Sequence, residues 1–181
     1  MKNIAEAQLL DRSIMSGDQL AFAELVKRHQ SGLRYSLRQL TRWDEALADD
    51  LAQETFIRAY QKLHSFRGDA KFSSWLYRIG YNLFLQHCRK KQLDTEELHD
   101  ERHSEPAPDV AGAQDTDLQR AIAEALATLS PEARSVMHLS LHRQCTQQEI
   151  STIMGIPLGT VKTHINRSKP LLQAQLGAWR E

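Results

Sequence analysis

Proline is missing from the first 105 residues of this 181-residue chain; its five prolines are Pro106, Pro108, Pro131, Pro157 and Pro170. Nothing in that first stretch forces a helix to break, so long helices are allowed there. Strict apolar/polar alternation is also missing, and with it any strand signal. Cysteine is scarce: Cys88 and Cys145 lie far apart and fit a reducing cytoplasm better than a disulfide framework. No apolar run approaches the ~20 residues of a membrane span. The opening Met1-Lys2-Asn3-Ile4-Ala5-Glu6 lacks the apolar core of a signal peptide. No P-loop, nucleophile elbow or paired catalytic carboxylates occur, so we expect no enzyme, no catalytic residue, no small-molecule substrate and no cofactor. Asp49 and Asp50, adjacent on a helix, point apart and suit acid–base work poorly.

Net charge is absent too, with 23 Lys+Arg against 23 Asp+Glu. Alone, that zero speaks against a nucleic-acid binder, but the charges are sorted along the chain. Residues 1–91 hold 15 basic and 10 acidic side chains, residues 92–117 one and nine, and residues 118–181 seven and four. Two mildly basic lobes flank an acidic segment. Rings are sorted as well: eleven of the twelve aromatics precede residue 92.

The spacing predicts an all-α protein of two small helical domains, 1–91 and 118–181, joined by a flexible acidic linker over 92–117. The linker carries Pro106, Pro108, Gly112 and few large apolar groups, too little to offset the entropy of ordering it. In the first lobe a helix over 5–16 should stop at Gly17. Asp18 should cap a second helix with the stripe Phe22, Leu25, Val26, Leu33, Leu37 and Leu40. A third should run over 44–63, burying Ala52, Phe56, Ala59, Tyr60 and Leu63, and a fourth over 72–91. In the second lobe Leu118, Ile122, Ala125, Leu126 and Leu129 form a stripe, and Ser130-Pro131-Glu132 starts a helix.

Residues 146–168 read as a helix-turn-helix. Thr146 and Glu149 have the spacing of a capping box. Gly155 permits the positive φ of a tight turn through Gly155-Ile156-Pro157, and a second helix should cover 158–168. Ile150, Ile153, Ile156, Val161 and Ile165 would lock the pair, leaving Lys162, Thr163, Asn166 and Arg167 outward. Those four carry groups that suit phosphates and base edges in a major groove. The plainer reading is a hairpin with a solvated face; the turn, the capping box and the basic second helix together favour DNA. Pro170 should break or bend the tail, with Leu171, Leu172, Leu176 and Trp179 packing back on the lobe.

In the first lobe, Asp50, Gln53 and Glu54 share one helix face, which by spacing alone is a solvated patch. Downstream, Phe66, Phe72, Trp75, Tyr77 and Tyr81 interleave with Arg67, Lys71 and Arg78, the composition of a single-strand-binding surface. Several of those rings must also fill the core, and Trp75 should do so together with Leu76 and Ile79.

The Asp50-x-x-Gln53-Glu54-x-Phe56 helix, the Phe66-Arg67-Gly68 loop, the Trp75-Leu76-Tyr77-Arg78-Ile79 helix and the turn from Gly155 to Lys162 occur together in this order. Over about 18–91 and 118–172 the chain resembles the extracytoplasmic-function (ECF) type sigma factors of bacterial RNA polymerase. The resemblance implies that Asp50, Gln53 and Glu54 meet the β′ coiled coil of core polymerase. It implies that Phe66, Arg67 and Lys71 capture a flipped base of the minus-ten element, with Arg78 and Asn82 on the neighbouring strand. It implies that Lys162, Thr163, Asn166 and Arg167 read the minus-thirty-five element while the second lobe meets the β flap. An anti-sigma factor, often membrane-anchored, is the further partner it implies. Two departures stand out: Arg167-Ser168-Lys169-Pro170 replaces an Arg-small-Arg run, and Gln144 stands where a glycine is common.

Two other readings compete with this one. Thr160–Ile165 is also similar to the recognition helix of LuxR-type regulators, but such a protein needs an α/β domain ahead of it, and 1–91 has no strand pattern. His138, His142 and Cys145 have ligand-like spacing, yet a zinc site needs a fourth ligand and none is evident, so no metal is expected.

Overall fold

The computed structural model describes residues 4–97, 122 and 124–177, and every regular element among them is helical. The helices are α1 (Glu6–Ser16), α2 (Gln19–Leu40), α3 (Glu45–Lys62), α4 (Phe72–Glu97), α5 (Pro131–Leu141), α6 (Gln147–Met154) and α7 (Leu158–Gly177), with a helical turn over 124–127.

Local chemistry sets most boundaries. Gly17 ends α1 at φ 62°, and the Asp18 carboxylate accepts from the amides of Leu20 and Ala21 to start α2. Asp44 caps α3 through the Leu47 amide. Ser130 caps α5, whose first residue is Pro131. In the capping box of α6 the Thr146 hydroxyl accepts from the Glu149 amide, and the Glu149 carboxylate accepts from the Thr146 amide.

Three boundaries and faces differ from expectation. Helix α4 runs on to Glu97, six residues into the segment read as linker, because 92–97 contains neither Gly nor Pro. Helix α7 continues through Pro170 to Gly177. The ring costs one backbone hydrogen bond, but Leu172 and Leu176 beyond it pack into the second apolar cluster, while Leu171 is exposed. Trp179 lies outside the described residues. In α3 the buried face is Ala48, Leu51, Ala52, Thr55 and Ala59. Tyr60 is instead 41% exposed, with its ring 4.9 Å from that of Phe22.

The larger difference is tertiary. The α2 stripe and α4 form the main apolar cluster, and Val136 and Leu139 of α5, Ile150, Ile153 and Met154 of α6 and Val161 of α7 belong to that same cluster. A smaller cluster of Ala125, Leu126, Leu129, Ala133, Met137 and Leu172 holds the second lobe's other side. Every residue from Ala133 to Leu139 is buried, so α5 is the shared wall between the lobes.

Candidate nucleic-acid and polymerase interface

Helix α3 turns Asp50 and Gln53 to solvent, next to the exposed side chains of Ile57 and Tyr60. Glu54 is half-buried, and its carboxylate accepts from the Arg58 Nε at 2.7 Å. Asp49 points the other way, toward Arg34 and Arg38 of α2 at 3.6 and 3.9 Å. The face therefore presents one free carboxylate, one paired carboxylate and one amide beside two apolar side chains.

The connection from α3 to α4 is a 3₁₀ turn, Leu63–Ser65, followed by Gly68 at φ 76°. A side chain at Gly68 would be strained there. Phe66 is half-buried, with its ring 5.7 Å from Phe72 and 5.4 Å from Trp75, so it braces the loop on the core. Arg67, Lys71, Arg78 and Asn82 are all exposed. The rings sort into two sets: Phe72, Tyr77 and Tyr81 are buried, while Phe66 and Trp75 are half-buried beside the cations.

In the second lobe Gly155 adopts φ 67° and the Ser151 hydroxyl donates to the Ile156 carbonyl, which fixes the turn between α6 and α7. Val161 is fully buried and Ile165 is half-buried. Lys162, Thr163, Asn166 and Arg167 are exposed together on α7. The Thr163 hydroxyl donates to the Gly159 carbonyl at 2.9 Å, so its donor is already committed. Gln144, just before α6, has φ 51°, the left-handed conformation that a glycine would adopt freely.

Sequence reasoning missed Arg134 and the cleft between the lobes. Arg134 is buried inside a short apolar helix and donates to the carbonyls of Leu126, Ala127, Leu129 and Leu40, at 2.8 to 3.1 Å. Burial pushes its pKa down to about 10, so the guanidinium stays charged at neutral pH. The signal was an Arg and a His four residues apart among Ala133, Val136, Met137 and Leu139. The cleft, about 170 Å³, is lined by Lys71 and Tyr77 on one side and Arg143, Gln144, Cys145 and Glu149 on the other. His138, one of the residues with ligand-like spacing, bonds to Gln39 through Nδ1, and its ring stacks on His142 with centroids 5.0 Å apart. Among the described residues no group of three or more His, Cys, Asp or Glu is placed to hold a metal, and no helix is long and apolar enough to cross a membrane.

Two stretches of the chain match known families. Residues 25–93 match sigma-70 region 2 and residues 119–171 match sigma-70 region 4. The chain is 35% identical over 176 residues to the ECF RNA polymerase sigma factor SigW of Bacillus subtilis, covering 91% of this chain and 94% of that protein. It is 30% identical over 182 residues to the RNA polymerase sigma factor CnrH of Cupriavidus metallidurans, covering 94% of each. Its fold is similar to CnrH solved in complex with the cytosolic domain of CnrY, with a TM-score of 0.67, 26% identity, and 96% of this chain and 99% of that one covered. The fold also matches RpoE bound to the anti-sigma factor NepR from Bartonella quintana, with a TM-score of 0.68, 24% identity, and 86% and 96% covered. The chain belongs to the ECF RNA polymerase sigma factors, which bind core RNA polymerase and direct it to promoters.

Proposed function

We propose a residue-level division of that work, with core binding and minus-ten recognition in residues 1–91 and minus-thirty-five recognition in residues 118–181. The observation that carries it is the shared exposure of each polar set: Asp50 and Gln53 on α3, Arg67, Lys71, Arg78 and Asn82 around the start of α4, and Lys162, Thr163, Asn166 and Arg167 on α7.

Asp50, Gln53 and Glu54 dock on the β′ coiled coil. Asp50 supplies charge, Gln53 an amide, and the Arg58-paired Glu54 a fixed acceptor. Arg67 and Lys71 follow the phosphates of the non-template strand, and Phe66 holds the loop in which a flipped base sits. Flipping costs a few kcal/mol of unstacking, so a pocket that rewards the open strand promotes melting without ATP. Arg78 and Asn82 hold the adjacent strand. On α7, Arg167 and Asn166 read base edges and Lys162 meets phosphate. Thr163 offers its methyl group, since its hydroxyl proton is used within the helix. The second lobe also meets the β flap. An anti-sigma factor, as in the complexes solved for the similar CnrH and RpoE, is the expected inhibitor. The protein acts in the cytoplasm as a non-enzymatic initiation factor.

The test is run-off transcription with core polymerase and alanine variants of each set. Asp50 and Gln53 variants should lose core binding, the α4 set should lose open-complex formation on duplex but less on pre-melted promoters, and the α7 set should lose discrimination at minus thirty-five. Equal loss in all three assays for every set would contradict the division.

A further inference from the structure

Helix α1 ends at Ser16, before residue 25, where the match to region 2 begins, so that match does not account for it. Its start is tied to α2 at two neighbouring positions. Arg28 Nη1 donates to the Ile4 carbonyl at 3.0 Å, and His29 Nε2 meets the Glu6 carboxylate at 2.8 Å. An ionised carboxylate only accepts, so Nε2 carries the hydrogen. The His29 side chain is 17% exposed. Its ring stands edge-on to Phe72, with centroids 5.3 Å apart and planes at 66°.

Phe72 is the first residue of α4 and closes the loop that follows Phe66. Between them, residues 67–70 make no hydrogen bond or ion pair among the described residues, and Gly68 stands at φ 76°. The loop therefore takes its shape from its ends. At one end the Phe66 amide donates to the Leu63 carbonyl at 3.0 Å, and α1 packs on the 3₁₀ turn that contains Leu63. At the other end Phe72 rests on His29. The two ends meet where the rings of Phe66 and Phe72 lie 5.7 Å apart. Helix α1 thus supports both ends of the loop, the second through the Glu6–His29 hydrogen bond.

An aliphatic side chain at position 29 would bury as readily. A ring with an N–H handle does something more. An edge-to-face contact depends on the angle of the ring, and the bond to Glu6 fixes that angle. Without it the ring turns about its last bond, where side-chain preferences are broad, and the edge contact with Phe72 is no longer held.

We propose that His29, fastened by Glu6, is a positioning residue for capture of the flipped minus-ten base. The proposal rests on the reading of Phe66, Arg67 and Lys71 as the minus-ten loop. Glu6 and His29 act from behind the loop: they set its shape before the strand arrives, so that less ordering is left to do on binding.

The experiment uses the full chain bound to core polymerase. The probe is a short fluorescent strand carrying the non-template minus-ten element of a promoter that this holoenzyme transcribes. Strand affinity is read by anisotropy, and core affinity is measured separately. Glu6→Ala should weaken strand binding about fivefold, the worth of one hydrogen bond, with core affinity unchanged. Glu6 lies in the first turn of α1, where Ala is well tolerated. Glu6→Gln keeps an acceptor oxygen and should return strand affinity to within about twofold of the parent. His29→Phe keeps a ring without the N–H; it should match Glu6→Ala, and combining the two should add nothing further. Unchanged strand affinity in Glu6→Ala overturns the positioning role, as does an equal loss of core affinity, which would mark a general loosening of the lobe. Additive losses in the combined variant show that Glu6 does not act through His29 and overturn it too. A wild-type holoenzyme that binds the minus-ten strand no better than a scrambled one overturns the minus-ten reading and the positioning role with it.

Discussion

His138 and Gln39, ninety-nine residues apart in the chain, meet at 3.0 Å across the seam between the lobes. Burial, reinforced by His142 and Arg143, pushes the His138 pKa down to about 3. The folded state thus keeps the ring neutral, whereas the unfolded chain takes up a proton near pH 6.5. The contribution of His138 to stability is fully present above pH 6.5 and is lost as pH falls toward 3, by at most about 1.4 kcal/mol per pH unit. His142 is shifted in the same direction by its own burial. Urea midpoints should be level from pH 8 to 7 and fall between 6.5 and 5, with a shallower fall in His138→Gln. An identical fall in the variant would assign the effect to other groups.

Gln144 occupies a left-handed backbone position. Relieving the side-chain clash there is worth about 1 kcal/mol. Gln144→Gly should raise stability by that order in chemical unfolding, less the added freedom of the unfolded chain. A clear loss of stability would show that the Gln144 side chain matters more than its backbone strain.

On α7 the two cations should behave differently. Arg167→Ala should cost about 1–3 kcal/mol at a matched minus-thirty-five element and little at a mismatched one. Lys162→Ala should weaken both alike and reduce the salt dependence by about one counterion. Binding measured over a salt series on paired promoters separates the two; parallel losses for Arg167→Ala would remove it as a base reader.

Asp50 and Gln53 are exposed, and neither side chain makes a hydrogen bond or ion pair among the described residues. Their alanine variants should keep unfolding free energies within about 0.5 kcal/mol of the parent. Core binding by the double variant should weaken about tenfold or more if this face is part of the docking centre. Unaltered affinity would move the polymerase contact elsewhere.

Much of the helix-turn-helix was legible in the sequence because its signals are local: Thr146 with Glu149, Gly155 and Pro157, and Val161 four residues before Ile165. The helix starts at Asp18, Asp44 and Ser130 were legible for the same reason. What was not legible depends on partners distant in sequence. Tyr60 had the spacing of a core residue, but Leu51 and Thr55 took the face toward α2 and α4. Pro170 was a breaker by local rules, yet Leu172 and Leu176 gain enough packing to carry α7 past it. The lobes were read as tethered bodies because no periodicity reports that Val136 and Leu139 find their core on α2 and α4. Phe66 was read as a base-binding ring; its contacts with Phe72 and Trp75 make it first a brace for the loop.

Promoter direction by this protein is measured most directly by reconstituted transcription: purified core polymerase with and without it, on a library of the host's promoters. Transcripts are expected from a restricted promoter set only when the protein is present, with Arg167→Ala shifting which promoters are used and Asp50→Ala with Gln53→Ala lowering all of them. Core polymerase that starts no more specifically with the protein than without it would contradict a role in promoter selection.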